Sequence, residues 1–143
     1  MNFFVENDML LSKPNMLLRI EGLAISILGV IFYWNQEYSW ILFWSTILLP
    51  DVALLAYFVN KETGAAAYNL THAKILPSLL ACTGVVFSMP VLLALSIIWF
   101  VHIGVDRGLG YGLKYSRGFK FTHLGIIGKK RNIGQLPLSE IIH

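Results

Sequence analysis

Charge is scarce in this chain. Asp, Glu, Lys and Arg make up 13% of its 143 residues, against about 25% in soluble domains. That scarcity, beside a hydrophobic share of 56%, excludes an ordinary soluble domain and predicts an integral membrane protein. Cysteine is nearly absent. Cys82 is the single copy, so no internal disulfide can form, and its place in an apolar run suits a small packing residue. No internal repeat or low-complexity segment occurs. The start lacks the pattern of a cleaved signal peptide: Glu6 and Asp8 precede the first apolar run, and no small-residue cleavage site follows a basic start. The length fits one domain.

What is present is a set of four apolar runs, at about 16–34, 38–59, 65–87 and 89–111, each roughly 19–23 residues, the length that crosses about 30 Å of hydrocarbon. Their links are short: Asn35-Gln36-Glu37, Asn60-Lys61-Glu62-Thr63-Gly64, and Ser88 just before Pro90. Short links imply antiparallel neighbours. The expected fold is all-α, a polytopic membrane four-helix bundle with a short polar C-terminal tail. Trp34, Trp40 and Trp44 lie near the first link, as interfacial aromatics do. The tail, 112–143, is glycine-rich and is expected to lie across the bundle mouth or on the membrane surface, with a short helix over Leu136–Ile142.

The net charge is +3, and seven of the eleven basic residues lie after residue 106. In a membrane protein this is a topology signal and a contact for anionic lipids, not a nucleic-acid footprint. Four spans put both termini on one side. Lys13, Arg19, Lys61 and the basic tail fall there, while the other side has only Glu37. Both termini are therefore expected in the cytoplasm. A homo-oligomer is left open.

The fourth run ends on His102-Ile-Gly-Val-Asp106-Arg107. His102 and Asp106 are four apart and share a helix face. Ionisable groups in such a run are costly in lipid and mark a candidate site. Depth along each run follows from the helical rise: Glu21, Asp51, His72, His102 and Asp106 all fall about 7–14 Å below the cytoplasmic surface. Four runs thus bring three carboxylates and two imidazoles to one layer. Such donors bind zinc, manganese or iron, and helical bundles build sites of this kind from facing helices. A divalent metal, zinc or manganese, is the expected cofactor. Asp51, His102 and Asp106 are the candidate catalytic groups, with Asp51 as general base for water. Arg19, Arg107 and Lys114 are candidates for holding an anionic group such as a phosphate.

Each residue has a plainer reading. His72 alone would be hydrogen-bonded across helices, to Tyr68, Asn69 or Thr71. Arg19 and Glu21 could be interfacial, Arg19 snorkelling. Pro50-Asp51 could be a kink with a capping Asp. His102, Asp106, Arg107 and Lys74 could pair only to neutralise one another. His123 reads first as a surface histidine. The glycines of Arg107-Gly-Leu-Gly-Tyr-Gly112 imitate a phosphate loop, but no strand precedes them.

Taken together, Arg19-x-Glu21-Gly22, Pro50-Asp51, Tyr68-Asn69-x-x-His72, His102-Ile-Gly-x-Asp106-Arg107, Gly110-Tyr-Gly-Leu-Lys-Tyr115 and Thr122-His123-Leu124-Gly125 resemble a small bacterial family of four-helix membrane proteins of unknown function. The order Pro-Asp, His, His-x-x-x-Asp, Tyr-Gly is also similar to the YdjM-like inner-membrane proteins assigned as metal-dependent hydrolases, themselves linked to zinc-dependent phospholipase C and the single-strand nucleases. Asp51, His72, His102 and Asp106 match that pattern. The first-helix histidine of those proteins is replaced here by Glu21, and their Thr-His-Ser by Thr71-His72-Ala73. The resemblance implies a bacterial inner-membrane location and a metal-dependent hydrolase acting on a phosphoester or lipid-like substrate. The rivals are a small proton-coupled transporter, similar to small multidrug carriers with their membrane Glu, and a non-catalytic structural membrane protein.

Overall fold

The computed structural model describes residues 14–127. The chain is mostly helical. Helix α1 (Pro14–Asn35) is followed by a short α2 (Trp40–Thr46) and a 3-10 helix (Leu49–Phe58). Then come α3 (Lys61–His72), α4 (Ile75–Val86) and α5 (Pro90–Leu109). A two-stranded antiparallel ribbon, β1 (Phe121–Thr122) and β2 (Gly125–Ile126), closes the described chain. Three stretches, Pro14–Asn35, Trp40–Phe58 and Pro90–Leu109, are long and apolar enough to cross a membrane. The expected helix over Leu136–Ile142, and Lys129, Lys130 and Arg131, lie outside the described residues.

Local chemistry sets the ends. Pro14 and Pro90 open their helices, where a missing N–H costs nothing. The Asn60 side chain accepts the Thr63 N–H at 2.7 Å and caps α3. Helix α5 ends at Gly110, whose φ of +94° is a left-handed cap, with the Tyr111 N–H returning to the Asp106 carbonyl at 2.8 Å.

The run at 65–87 is not one helix. It divides into α3 and α4, with Ala73 extended at ψ 143°. Pro77 is the reason. A proline in a continuous helix would lose its N–H bond and press its ring on the carbonyl four residues back, which is that of Ala73. Three residues into α4, the missing N–H falls among those a helix start leaves unbonded. The second run also differs from a plain helix, since Pro50 begins a 3-10 stretch of 10 residues, long for that geometry.

Helix α5 is the central rod, in contact with α1, α2 and α4, while α3 packs on the 3-10 helix. The α1–α5 seam is made by small residues. A Cβ on Gly22 would stand 2.7 Å from the Gly104 carbonyl oxygen, so the two backbones touch. Ser26 sits in the same seam and donates to the carbonyls of Gly22 (3.1 Å) and Val101 (3.0 Å). Away from the seam α1 exposes Leu17, Ile20, Leu23, Ile27, Leu28 and Phe32. That continuous apolar face is larger than water tolerates on a monomer.

Candidate metal centre

Four side chains from three elements meet beside α5. Asp51 comes from the first turn of the 3-10 helix, His72 from the last turn of α3, and His102 and Asp106 from one face of α5. One ligand atom from each lies within 4.8 Å of all the others. His72 Nε2 stands 3.2 Å from His102 Nε2, 3.3 Å from Asp51 Oδ1 and 3.3 Å from Asp106 Oδ2. His102 Nε2 stands 3.4 Å from Asp51 Oδ1 and 3.8 Å from Asp106 Oδ2. A tetrahedron of nitrogen and oxygen donors around zinc, at 2.0–2.1 Å, has edges of about 3.3 Å. The donor types, two imidazoles and two carboxylates, suit zinc, manganese or iron.

The surroundings fix how these atoms point. His72 is fully buried. Its Nδ1 lies 3.0 Å from the Tyr68 carbonyl and 2.9 Å from the Thr71 hydroxyl; a proton on Nδ1 suits the carbonyl, and Nε2 faces the other three donors. The Tyr68 ring stacks on the imidazole at 3.7 Å, and the Tyr68 hydroxyl donates to Asp106 Oδ2 at 3.1 Å. The break after α3 leaves carbonyls without helical partners, and α5 supplies them. Trp99 Nε1 donates to the Thr71 carbonyl at 2.7 Å, and Arg107 Nη2 donates to the His72 carbonyl at 2.9 Å. Each bond ties the His72 turn to the helix that carries His102.

The cations expected to hold an anion are engaged elsewhere. Arg107 is buried, and its other terminal nitrogen donates to the Tyr111 carbonyl at 2.6 Å. Arg19 donates to the Gly108 carbonyl at 3.0 Å. Lys114 is buried with its ammonium 4.4 Å from the Tyr68 ring centre and 3.7 Å from that of Phe119, donating to the Phe119 carbonyl at 3.2 Å. Burial pulls its pKa below the usual lysine range, while the charges of Asp106 and Asp51 resist that pull. Lys74 is exposed at the start of α4.

Glu21 stands apart from the four. It is exposed on α1, one residue and hence about 100° round the helix from the Gly22 seam. His123 also stays outside. Its Nδ1 accepts the Leu113 N–H at 2.8 Å, and its own N–H donates to the Leu113 carbonyl at 3.0 Å, holding the tail turn. Burial, and then the Arg107 charge, lower its pKa. The tail is latched over α3 by Asn69, whose side chain donates to the Lys114 carbonyl at 2.7 Å and accepts the Lys114 N–H at 2.6 Å. Reasoning from spacing named Tyr68 and Asn69 only as hydrogen-bond partners of His72. The position of Tyr68, one turn before His72, was the available signal for its contact with the cluster.

Fold and site together define a small, mostly helical protein with, among the described residues, three membrane-length helices and a cluster of two buried histidines and two half-buried aspartates that could hold a metal. A family model described as "Domain of unknown function (DUF4260)" matches residues 15–127, and the chain belongs to that family. No curated protein and no solved structure matches it.

Proposed function

We propose that this chain is a four-helix membrane bundle and a metal-dependent hydrolase, acting on a phosphoester or lipid-like substrate at a site that opens to the cytoplasm. The observation that carries the reading is the convergence of Asp51, His72, His102 and Asp106, with both Nε2 atoms and two carboxylate oxygens aimed at one point. Lone pairs and negative charge so close repel one another unless a metal ion, or protons on the imidazoles, lie between them. The order Asp51, His72, His102, Asp106 is also that of the YdjM-like proteins. The basic side of the chain puts both termini in the cytoplasm of a bacterial inner membrane, with anionic lipids at the tail and no nucleic acid as partner.

A divalent metal held there would polarise a phosphoryl oxygen and favour the ionisation of water. Four protein donors close a tetrahedral zinc site, so hydrolysis needs an ion that accepts further ligands, as manganese does. Asp51 offers Oδ1 to the cluster, and its side chain is 36% exposed, the most open of the four. Its second oxygen is therefore placed to take the proton of the attacking water. Water would add to phosphorus as Asp51 takes its proton, the phosphorus–oxygen bond to the alcohol would break, and the alcohol would leave with the proton that Asp51 took. Tyr68 holds Asp106, and His72 is held by its own backbone turn. All three cations donate to carbonyls; Lys114, whose ammonium has three donors and spends one on the Phe119 carbonyl, is the candidate cation for the phosphate.

The test is elemental mass spectrometry on detergent-purified protein, wild type beside His102→Ala and Asp106→Ala. Near-stoichiometric manganese or iron that is lost in both variants supports the reading, and zinc so lost supports the metal site alone. Folded wild type that takes up no metal after reconstitution overturns it. One observation favours a second reading, a proton-coupled carrier: Glu21 is exposed on an apolar helix face, where a membrane carboxylate needs a partner. Proton-driven flux in proteoliposomes that Glu21→Gln abolishes would support the carrier instead.

A further inference from the structure

An apolar cleft is lined by chain neighbours of the cluster, Pro50 just before Asp51 and Trp99 one turn before His102. It is about 110 Å³ in volume and is bounded by Thr46, Leu49 and Pro50 on one wall and by Leu80, Leu95, Ile98 and Trp99 on the other. Pro50 precedes the ligand Asp51. Leu95, Trp99, His102 and Asp106 follow at spacings of four, three and four, so one face of α5 lines the cleft and then carries the two donors. From His102 to Leu95 is seven residues, about 10 Å along the helix axis, directed away from the end that bears the basic tail. In a bilayer, the cleft is then at hydrocarbon depth and the cluster nearer the surface. Leu49, at the rim, is 62% exposed, so the cleft opens sideways.

We infer that this cleft seats part of the acyl chain of a membrane phospholipid, with its phosphoester at the histidine–aspartate cluster; the substrate assignment rests on the hydrolase reading, the chain seat does not. Head toward the surface and chain toward the midplane is the order in which a lipid of that leaflet presents itself. The phospholipid is the apolar phosphoester that surrounds these helices at that depth. The cleft is somewhat smaller than an engineered apolar cavity of about 150 Å³ that takes up benzene. It therefore holds a few methylenes, and the rest of the chain stays in lipid through the open side. An acyl seat also explains why a site for an anion has its cations bonded to carbonyls: the chain supplies the binding that free cations would otherwise give.

The test uses the detergent-purified full chain and phosphatidylglycerol carrying a photoreactive diazirine in mid-chain. The expected adducts fall on Leu80, Leu95 and Ile98, well above those on the exposed Ile27 and Leu28 of α1, and excess unlabelled phosphatidylglycerol removes them. Filling the cleft with Leu80→Trp is expected to lower the affinity for the label about tenfold, the worth of roughly two buried methylenes. Leu95→Trp repeats the test from α5 should the first variant fold poorly. Adducts that follow surface exposure overturn the inference, and so does a polyprenyl phosphate that displaces the label more strongly than phosphatidylglycerol. Metal analysis of the same samples separates the two claims. A saturable cleft label on metal-free wild type leaves the chain seat standing and removes the hydrolase. Bound metal with only exposure-driven labelling removes the seat and leaves a hydrolase of water-soluble phosphoesters.

Discussion

The first half of α5 and its last turns are packed in opposite ways. Toward its start, α5 meets an aromatic knot. Tyr33 is fully buried among Phe43, Ala94, Ile98 and Val101. Its ring lies 5.3–5.4 Å from those of Tyr38, Trp40 and Phe43, edge-on or tilted. The polar atom of its buried centre is used: the Tyr33 hydroxyl donates to the Ser39 carbonyl at 2.6 Å. Toward its end, α5 meets carboxylates, imidazoles and the carbonyls that the break after α3 frees for Trp99 and Arg107. There the outward-facing polar groups have protein partners, and the four inward atoms face one another, with Asp106 Oδ2 also accepting from the Tyr68 hydroxyl. One region is complete as protein. The other gathers four donor atoms that could hold a metal, and that distinguishes packing from a candidate site.

The contrast is broken most severely in the aromatic knot. Phe43→Ala is expected to lower stability by about 3–5 kcal/mol, since a buried ring leaves a cavity, yet to leave the metal content of the folded fraction unchanged. Thermal unfolding in detergent beside elemental analysis checks both halves. A variant that loses metal while still folded would show that the two regions are not independent.

Next in size, on the proposed metal reading, is removal of the metal. With free metal at about 100 times its dissociation constant, binding stabilises the folded state by about 2.7 kcal/mol. Chelation should therefore lower the melting temperature of wild type, and it should do nothing to His72→Ala. Equal melting temperatures for chelated and metal-loaded wild type would mean that the four donors hold only a proton. A smaller effect is expected of Tyr68→Phe, which keeps the ring stacked on His72 and removes the hydroxyl from Asp106. Loss of such a supporting bond typically weakens metal affinity about 10–100-fold. Competition with a chelator of known strength reads this directly, and unchanged affinity would remove Tyr68 from the site.

The depth of the polar groups was legible in the sequence, and their direction around each helix was not. A rise of about 1.5 Å per residue puts Glu21 in the same layer as Asp51, His72, His102 and Asp106. Only packing decides which way a helix turns, and α1 is turned by Gly22 and Ser26 against Gly104. Glu21 is thereby left on the outside. His102 and Asp106 did not carry this ambiguity, because a four-residue spacing fixes their relation on one helix. Pro77 was visible inside the third apolar run, but the break it imposes, and the carbonyls that break frees for Trp99 and Arg107, depend on contacts with α5. The cations were read correctly as charges. Their acceptors were missed because a backbone carbonyl at a helix end has no signature in sequence. The long 3-10 stretch that presents Asp51 had only Pro50 to announce it.

The smallest expected effect sharpens the comparison most. Tyr33→Phe removes one hydroxyl and no ring atom, so the edge-on contacts with Tyr38 and Phe43 remain. The Ser39 carbonyl loses its 2.6 Å partner, but it lies at the N-cap of α2 and already accepts the Phe43 N–H at 3.1 Å. A net hydrogen bond is worth about 1 kcal/mol, and a partly satisfied acceptor should lose no more than that. Tyr68→Phe is the same chemical change at the other end of the molecule. There the lost donor serves a carboxylate oxygen that lies 3.3 Å from an imidazole nitrogen. The two substitutions should differ in kind: Tyr33→Phe shifts the melting temperature equally with and without metal, whereas Tyr68→Phe shifts it mainly with metal. Equal shifts from both under both conditions would mean that the polar end of α5 is packing like the aromatic one.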